Sequence, residues 1–164
     1  MLTMAACLHV HGQTKKEVHF RAGATIAFGL SRIANNEVGI GGVVGVEKPF
    51  NELFAGELEL SYTYFTGDKV LYLDGKNKAW SLPLLAGIKW YPRRWLYGAV
   101  RAGAIGFLFN SETSTSIRPA YGLAAGMNLP EKHNRVNLQL GYTGFPYGGD
   151  NRGYATLAAA IIIN

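Results

Sequence analysis

The sequence is poor in cysteine, in charge and in long hydrophobic runs. Its 164 residues include one cysteine and 16% charged residues, with a net charge of +5. The lone Cys7 excludes an internal disulfide. No group of His, Cys or carboxylate residues has the spacing of metal ligands, so we expect no metal and no cofactor. An RNP-like run, a zinc-finger spacing and a lysine-rich helix are also missing, so no nucleic acid partner is expected.

No stretch reaches the roughly 18–20 consecutive apolar residues of a transmembrane helix. That excludes helical spanning but not a barrel, whose strands give only a weak alternating signal. The chain contains 21 glycines, nine tyrosines and 48% hydrophobic residues. This composition argues against disorder, and the length favours a single domain.

Residues 1–13 differ from the rest, with a short apolar stretch followed by polar residues. They are expected to be the remnant of a signal peptide processed near Gly12-Gln13, although the positively charged start of a complete signal is missing. A lipoprotein signal ending at Cys7 and an ordinary N-terminal tail are the alternatives. Residues 14–164 are then the domain.

The stretch from His19 to Arg32 alternates at every second residue, which is the period of a β-strand. One face is apolar throughout: Phe20, Ala22, Ala24, Ile26, Phe28 and Leu30. The other carries charge, hydroxyl groups and glycine: His19, Arg21, Gly23, Thr25, Ala27, Gly29 and Ser31.

The same alternation recurs seven more times. The predicted strands cover residues 19–32, 37–47, 53–65, 79–91, 95–109, 118–129, 135–145 and 153–164. Strands of about 10–15 residues are long enough to cross a bilayer with a barrel's tilt, and an even number lets an antiparallel meander close on itself. The predicted fold is all-β, an eight-stranded antiparallel up-and-down transmembrane β-barrel.

Charge separates the two faces of the predicted strands. The face with the small residues is predicted to line the lumen with a charge network: Arg21, Glu37, Glu47, Glu57, Glu59, Lys89, Arg101 and Arg118. The opposite face is predicted to contact lipid: Phe20, Ile26, Phe28, Leu58, Leu60, Leu84, Ile88, Leu138 and Leu140. Sparse, balanced charges with glycine and alanine suit a narrow interior, whereas a solvent-exposed face would carry more Lys, Glu and Asp.

Two further patterns favour a membrane barrel. Aromatic residues fall near predicted strand ends, where the two membrane interfaces would lie: Phe54, Tyr64, Trp80, Trp90, Trp95 and Tyr142. The connections that contain Pro49, Pro92 and Pro130 are short. The alternate connections, at about 66–78, 110–117 and 146–152, are longer and polar, and the one at Ala34–Asn36 is a short exception. Short periplasmic turns opposite longer external loops are typical of outer-membrane barrels.

On these patterns the chain resembles small eight-stranded outer-membrane β-barrels of the outer membrane protein A and X type. It is most similar to the outer-membrane β-barrel or porin-like family proteins common in Bacteroidota. The resemblance covers about residues 16–164 and rests on pattern, without a residue motif. Members of this group usually end in an aromatic residue, whereas this sequence ends in Ile163-Asn164.

The resemblance implies a monomer in a bacterial outer membrane with both termini periplasmic, a side-chain-filled polar lumen and a structural or surface-interaction role. Lipopolysaccharide phosphates are a candidate partner of five basic residues near the outer rim: Arg32, Lys69, Lys76, Lys78 and Arg152. The alternatives are a soluble lipocalin- or avidin-like barrel that binds an apolar ligand, and a lipid A-modifying enzyme using Ser31. An enzyme is not expected, because no histidine lies near Ser31 to activate it.

Overall fold

The computed structural model describes residues 17–30, 38–66, 78–109, 116–130, 135–147 and 149–163. Every regular element in these ranges is a β-strand, and the all-β prediction is confirmed. The strands are β1 (His19–Leu30), β2 (Val38–Pro49), β3 (Phe54–Thr66), β4 (Lys78–Arg93), β5 (Leu96–Phe109), β6 (Ser116–Pro130), β7 (Arg135–Tyr147) and β8 (Asp150–Ile163).

Each strand pairs antiparallel with the next one in sequence, and β8 returns to pair with β1. The closing ladder runs from Phe20 opposite Ile163 to Leu30 opposite Gly153. Closure leaves no unpaired sheet edge, which removes the tendency of an open edge to pair with other chains. The predicted up-and-down barrel is therefore confirmed.

The barrel has two different ends, which we name by their connections. At the turn end, β2–β3, β4–β5 and β6–β7 are joined across residues 50–53, 94–95 and 131–134, and β1 begins and β8 ends there. At the loop end, the described strands are separated by residues 31–37, 67–77, 110–115 and 148–149.

The connection between β7 and β8 differs from the prediction of a long loop over 146–152. The two strands continue to pair through Pro146 opposite Asn151 and Tyr147 opposite Asp150. Only residues 148–149 lie between them, and Gly149 has a φ of 86°, which a residue with a side chain adopts at a cost. This hairpin is shorter than predicted because its flanking residues stay in the sheet.

Alternation along the strands separates an apolar outer face from an enclosed interior. On β1, the Ala27 side chain is fully buried whereas its neighbour Phe28 is 43% exposed. Ile40, near the loop end of β2, is 63% exposed, and Leu140, near the middle of β7, is 61% exposed. Apolar side chains such as these thus point away from the barrel axis, whereas the buried charged residues, such as Lys89, point toward it.

Two backbone features allow the strands to pack around a narrow interior. A Cβ at Gly41 would lie 1.7 Å from the Tyr62 carbonyl oxygen, so any side chain there would force β2 and β3 apart. Pro83 on β4 has no N–H to donate, and the β3–β4 ladder is interrupted there while its register is the same on both sides.

Candidate functional site

Six of the eight residues predicted to form a lumen charge network lie together in the barrel interior. They are Arg21, Lys89 and Arg101 with Glu47, Glu57 and Glu59. Three cations face three carboxylates, so the group is neutral. We call this set the ion network.

Two predicted members lie elsewhere. Glu37 is outside the described residues. Arg118 lies on β6 opposite Ile105, on the loop-end side of the strand, where its side chain is half-buried.

Arg101, on β5, bridges both buried glutamates of β3. Its Nε donates to Glu57 Oε1 at 2.6 Å, and its Nη1 donates to Glu59 Oε1 at 2.7 Å. The third guanidinium nitrogen, Nη2, donates to Glu57 Oε2 at 3.3 Å. Charge-assisted bonds from a planar guanidinium combine strength with fixed geometry, so Arg101 holds both carboxylates in place.

Arg21, on β1, approaches the same two carboxylates from the other side. Its Nη2 donates to Glu57 Oε2 at 3.1 Å and also to Glu59 Oε2. Each glutamate is therefore held between two arginines from different strands. A carboxylate this deeply buried would be very costly without such partners, because desolvation disfavours the charged form.

Lys89, on β4, extends the ion network toward the turn end. Its side chain is only 1% exposed, and its Nζ lies 2.7 Å from Glu47 Oε2 and 3.4 Å from Glu57 Oε2. The ammonium also sits 4.3 Å from the centre of the Tyr97 ring, a cation–π contact. Tyr91 donates its hydroxyl to the other oxygen of Glu47 at 2.7 Å.

Neutral residues that the prediction of a charge network omitted complete the interior bonding. Gln139 Oε1 accepts from Arg21 Nη1 at 2.8 Å, from Arg101 Nη2 at 2.9 Å and from the Tyr97 hydroxyl at 3.0 Å. Asn137 Nδ2 donates to Tyr97 Oη at 3.0 Å and to Asn128 Oδ1 at 2.8 Å. Their signal in the sequence is the alternation itself, which places them on the same face as the charges.

Replacing Tyr97 with phenylalanine should lower the free energy of unfolding by about 1–2 kcal/mol, because one buried amide proton of Asn137 loses its acceptor and Gln139 Oε1 loses one of its donors. The Tyr97 side chain is fully buried, so water cannot replace the lost hydroxyl. Urea titration of the barrel in detergent measures the change. Tyr62→Phe on the exposed outer face is the matched control and should unfold as the parent does. Equal losses in the two variants would contradict the interior role of the Tyr97 hydroxyl.

The loop half of the interior departs from the predicted polar lumen. Four large side chains there are almost completely buried: Phe65, Ile105, Phe145 and Tyr154. Phe65 and Tyr154 meet edge to face, with ring centres 5.4 Å apart, and the Tyr154 hydroxyl lies 3.0 Å from Ser81 Oγ. A fifth buried side chain, Leu85, lies opposite Glu59 of the ion network. The loop half of the lumen is therefore mixed, with large apolar side chains beside the buried hydroxyl groups of Thr63 and Ser81.

The residues predicted to face lipid lie on the outside of the barrel. All nine are between 37% and 61% exposed: Phe20, Ile26, Phe28, Leu58, Leu60, Leu84, Ile88, Leu138 and Leu140. Their side chains are therefore exposed to the medium that surrounds the barrel.

Four of the six predicted interface aromatics fall at the ends of the outer face. Trp80, near the loop end of β4, packs against Tyr64 with ring centres 4.4 Å apart. Phe54 and Trp90 lie at the turn end and are 41% and 52% exposed. Trp95, in the β4–β5 turn, instead lines a cavity at the turn end of the barrel. Tyr142 instead lies near the middle of β7, 6.1 Å from Tyr121 between ring centres, because the strand continues beyond the predicted end to Tyr147.

The described residues contain no cluster of three His, Cys, Asp or Glu residues able to hold a metal. Ser31, the candidate nucleophile, is outside the described ranges, and His19 is at the turn end, where β1 begins. Among the described residues, no helix is long and apolar enough to cross a membrane.

Comparison with known proteins finds similarity in structure only. No protein-family model and no curated protein sequence matches this chain. Among solved structures, Neisserial surface protein A superimposes with a TM-score of 0.64 and 13% identity, covering 89% of this chain and 96% of that protein. Ail, the attachment invasion locus protein of Yersinia pestis, gives 0.57 and 12%, covering 89% and 97%.

The N-terminal β-barrel domain of Pseudomonas aeruginosa OprF gives a TM-score of 0.54 and 17% identity, covering 88% of this chain and 97% of that domain. Identities this low establish a shared architecture and leave function open. The chain has the closed eight-stranded antiparallel β-barrel fold of these outer-membrane proteins.

Proposed function

We propose that this chain is an integral protein of a bacterial outer membrane, with a structural or surface-interaction role and a lumen closed by side chains. The observation that carries the proposal is the apolar outer face around a closed barrel. A soluble barrel would bury this face, whereas a membrane barrel exposes it to lipid. The soluble carrier alternative needs these side chains inside, and Ile40 and Leu140 point outward.

The interior supports a closed barrel in place of an open pore. Eight strands leave a lumen just wide enough for side chains to fill. The ion network occupies its middle, and Phe65, Ile105 and Tyr154 occupy its loop half. A role that depends on free diffusion through the lumen is therefore not proposed.

The connections support the proposed orientation, with the turn end and both chain termini on the periplasmic side. Connections at the turn end span two to four residues, whereas 67–77 at the loop end spans eleven. Outer-membrane barrels place short turns in the periplasm and longer loops outside. Surface contacts would then be made at about 66–78 and 110–117, most of which lies outside the described residues, and at the short β7–β8 hairpin.

Membrane lipids are the proposed partners of the outer face, and lipopolysaccharide phosphates remain a prediction for the loop end. Of the five basic residues predicted to meet them, Arg32, Lys69 and Lys76 lie outside the described ranges. Lys78 begins β4, and Arg152 is a half-buried residue near the start of β8. We propose no enzymatic activity, and the chain is expected to act as a monomer.

Electrophoretic mobility with and without boiling tests the proposal. The boiled and unboiled samples of the full chain refolded in detergent should migrate at different positions. A closed barrel keeps its strand pairing in detergent and unfolds only on heating. The parallel sample is the chain refolded in plain buffer, which should aggregate because its apolar outer face has no lipid or detergent to cover it. A single band in both lanes, with a soluble monomer in plain buffer, would overturn the membrane assignment.

A further inference from the structure

The turn end of the barrel holds a cavity of about 500 Å³. Ligand cavities in proteins commonly measure about 300–1,000 Å³, so this space suits a small molecule. Arg21 and Lys89 of the ion network lie in its wall. Deeper in the barrel, the cavity beside Glu59 and Arg101 measures only about 10 Å³. The larger cavity is thus a cup whose inner end is the ion network.

The inner end of the cup is already satisfied in hydrogen bonding. Lys89 and Tyr91 both bond to Glu47, each at 2.7 Å. Asn137 uses both amide protons, on Tyr97 and on Asn128. A ligand therefore gains little from displacing these groups, and its charged end belongs elsewhere in the cup.

The rim of the cup carries two cations that have no carboxylate partner among the described residues. Arg94, in the β4–β5 turn, and Arg135, at the start of β7, both line the cavity, and neither belongs to the ion pairs of the described ranges. Glu52 is on the same rim, so the three charges sum to +1. An arginine is well suited to a carboxylate, which it binds through two parallel hydrogen bonds.

Between the rim and the inner end, the wall is largely apolar. Trp95, Ile162, Pro49 and Ala55 contribute to it. Trp95 is 44% exposed and offers an indole on which a planar group stacks. The cup thus joins a cationic rim to an apolar, partly aromatic wall.

We propose that this cavity binds a small organic monoanion made of a carboxylate and a planar apolar body. The carboxylate meets Arg94 and Arg135, and the planar body lies inside the rim against Trp95 and Ile162. The segment leading into β1 is a poorer occupant, because Lys15 and Lys16 have the same charge as the rim arginines. The proposed membrane role sets only which compartment the cup faces, and the binding site itself does not depend on it.

Titration with 1-naphthoate of the folded full chain in lipid nanodiscs tests this site, and NMR chemical shifts report the binding. We expect saturable shifts at the Asn128 and Asn137 side-chain amides and at the Trp95 indole. The amide 1-naphthamide has the same shape without the charge, and the parent chain should bind it at least about tenfold more weakly than 1-naphthoate. The Arg94→Gln, Arg135→Gln double variant should bind 1-naphthoate at least about tenfold more weakly than the parent does. Lys48→Gln, which removes an exposed cation at the same end outside the cavity, should leave naphthoate binding unchanged.

Three results would overturn the site. They are the absence of saturable binding, equal affinity for the acid and its amide, and equal affinity in the double variant and the parent. Shifts confined to outer-face residues such as Leu140 would also overturn it, because they would report partition into the lipid. The boiling shift in electrophoresis does not depend on Arg94 or Arg135, so failure of this site leaves the membrane proposal intact.

Discussion

Replacing Arg101 with leucine should lower the free energy of unfolding by about 3–5 kcal/mol, the usual loss when one partner of a buried ion pair is removed. Arg101 makes close bonds to Glu57 and Glu59, at 2.6 and 2.7 Å, and donates to Gln139. The variant leaves two buried carboxylates sharing fewer cations in a space that admits little water. Urea unfolding of the barrel in detergent or liposomes measures the loss.

Two further variants separate lost charge pairing from lost packing. Arg93→Leu, the same substitution at an exposed turn-end position, should unfold close to the parent. Arg101→Leu combined with Glu59→Gln restores neutrality to the interior and should recover part of the lost stability. Parent-like unfolding of Arg101→Leu alone would show that the ion network does not stabilise the barrel.

Replacing Leu140 with arginine should destabilise the inserted barrel by about 2–4 kcal/mol, the cost of a cation on the lipid face at mid-membrane. Leu140 lies near the middle of β7, and its side chain is 61% exposed on the outer face. Reversible unfolding in liposomes measures this cost. If the outer face met water instead of lipid, the barrel would fold in plain buffer, and Leu140→Arg would leave its stability unchanged or raise it.

Ile163→Arg is the matched control for depth. Ile163 is 55% exposed and ends β8 at the turn end, where a long cationic side chain reaches the membrane surface. Near the interface the cost of arginine falls to about 0–1 kcal/mol. Equal losses at positions 140 and 163 would contradict the assignment of the outer face to lipid.

The sequence predicted the strands and the two faces because both depend on local alternation. A side chain's face follows from its place in a period of two, whatever its partner strand is. Alternation alone therefore predicts that Arg21, Glu57 and Arg101 lie on the inner face. Strand ends were less well predicted near β7 and β8, since Pro146 and Asp150 look like turn residues but remain in the ladder.

The composition of each half of the lumen was not evident from the sequence. Alternation places Phe65, Phe145 and Tyr154 on the same face as the charged residues. It does not show that all three lie in the loop half of the interior, away from the ion network. Whether two residues on one face lie at the same height depends on the register of every strand pair between them. The relative height of residues on distant strands therefore cannot be predicted from the alternation within one strand.

The sequence alone determined that this chain forms eight amphipathic strands with their charges on one face, because alternation is a property of neighbouring residues. Only the tertiary structure decided which charges meet. Arg101 and Glu57 are 44 residues apart in sequence, and Arg21 and Gln139 are 118 apart. Closing β8 onto β1 wraps the sheet into a cylinder, so that side chains from distant strands converge on its axis. Convergence at that axis also creates the turn-end cavity, whose walls come from both ends of the chain.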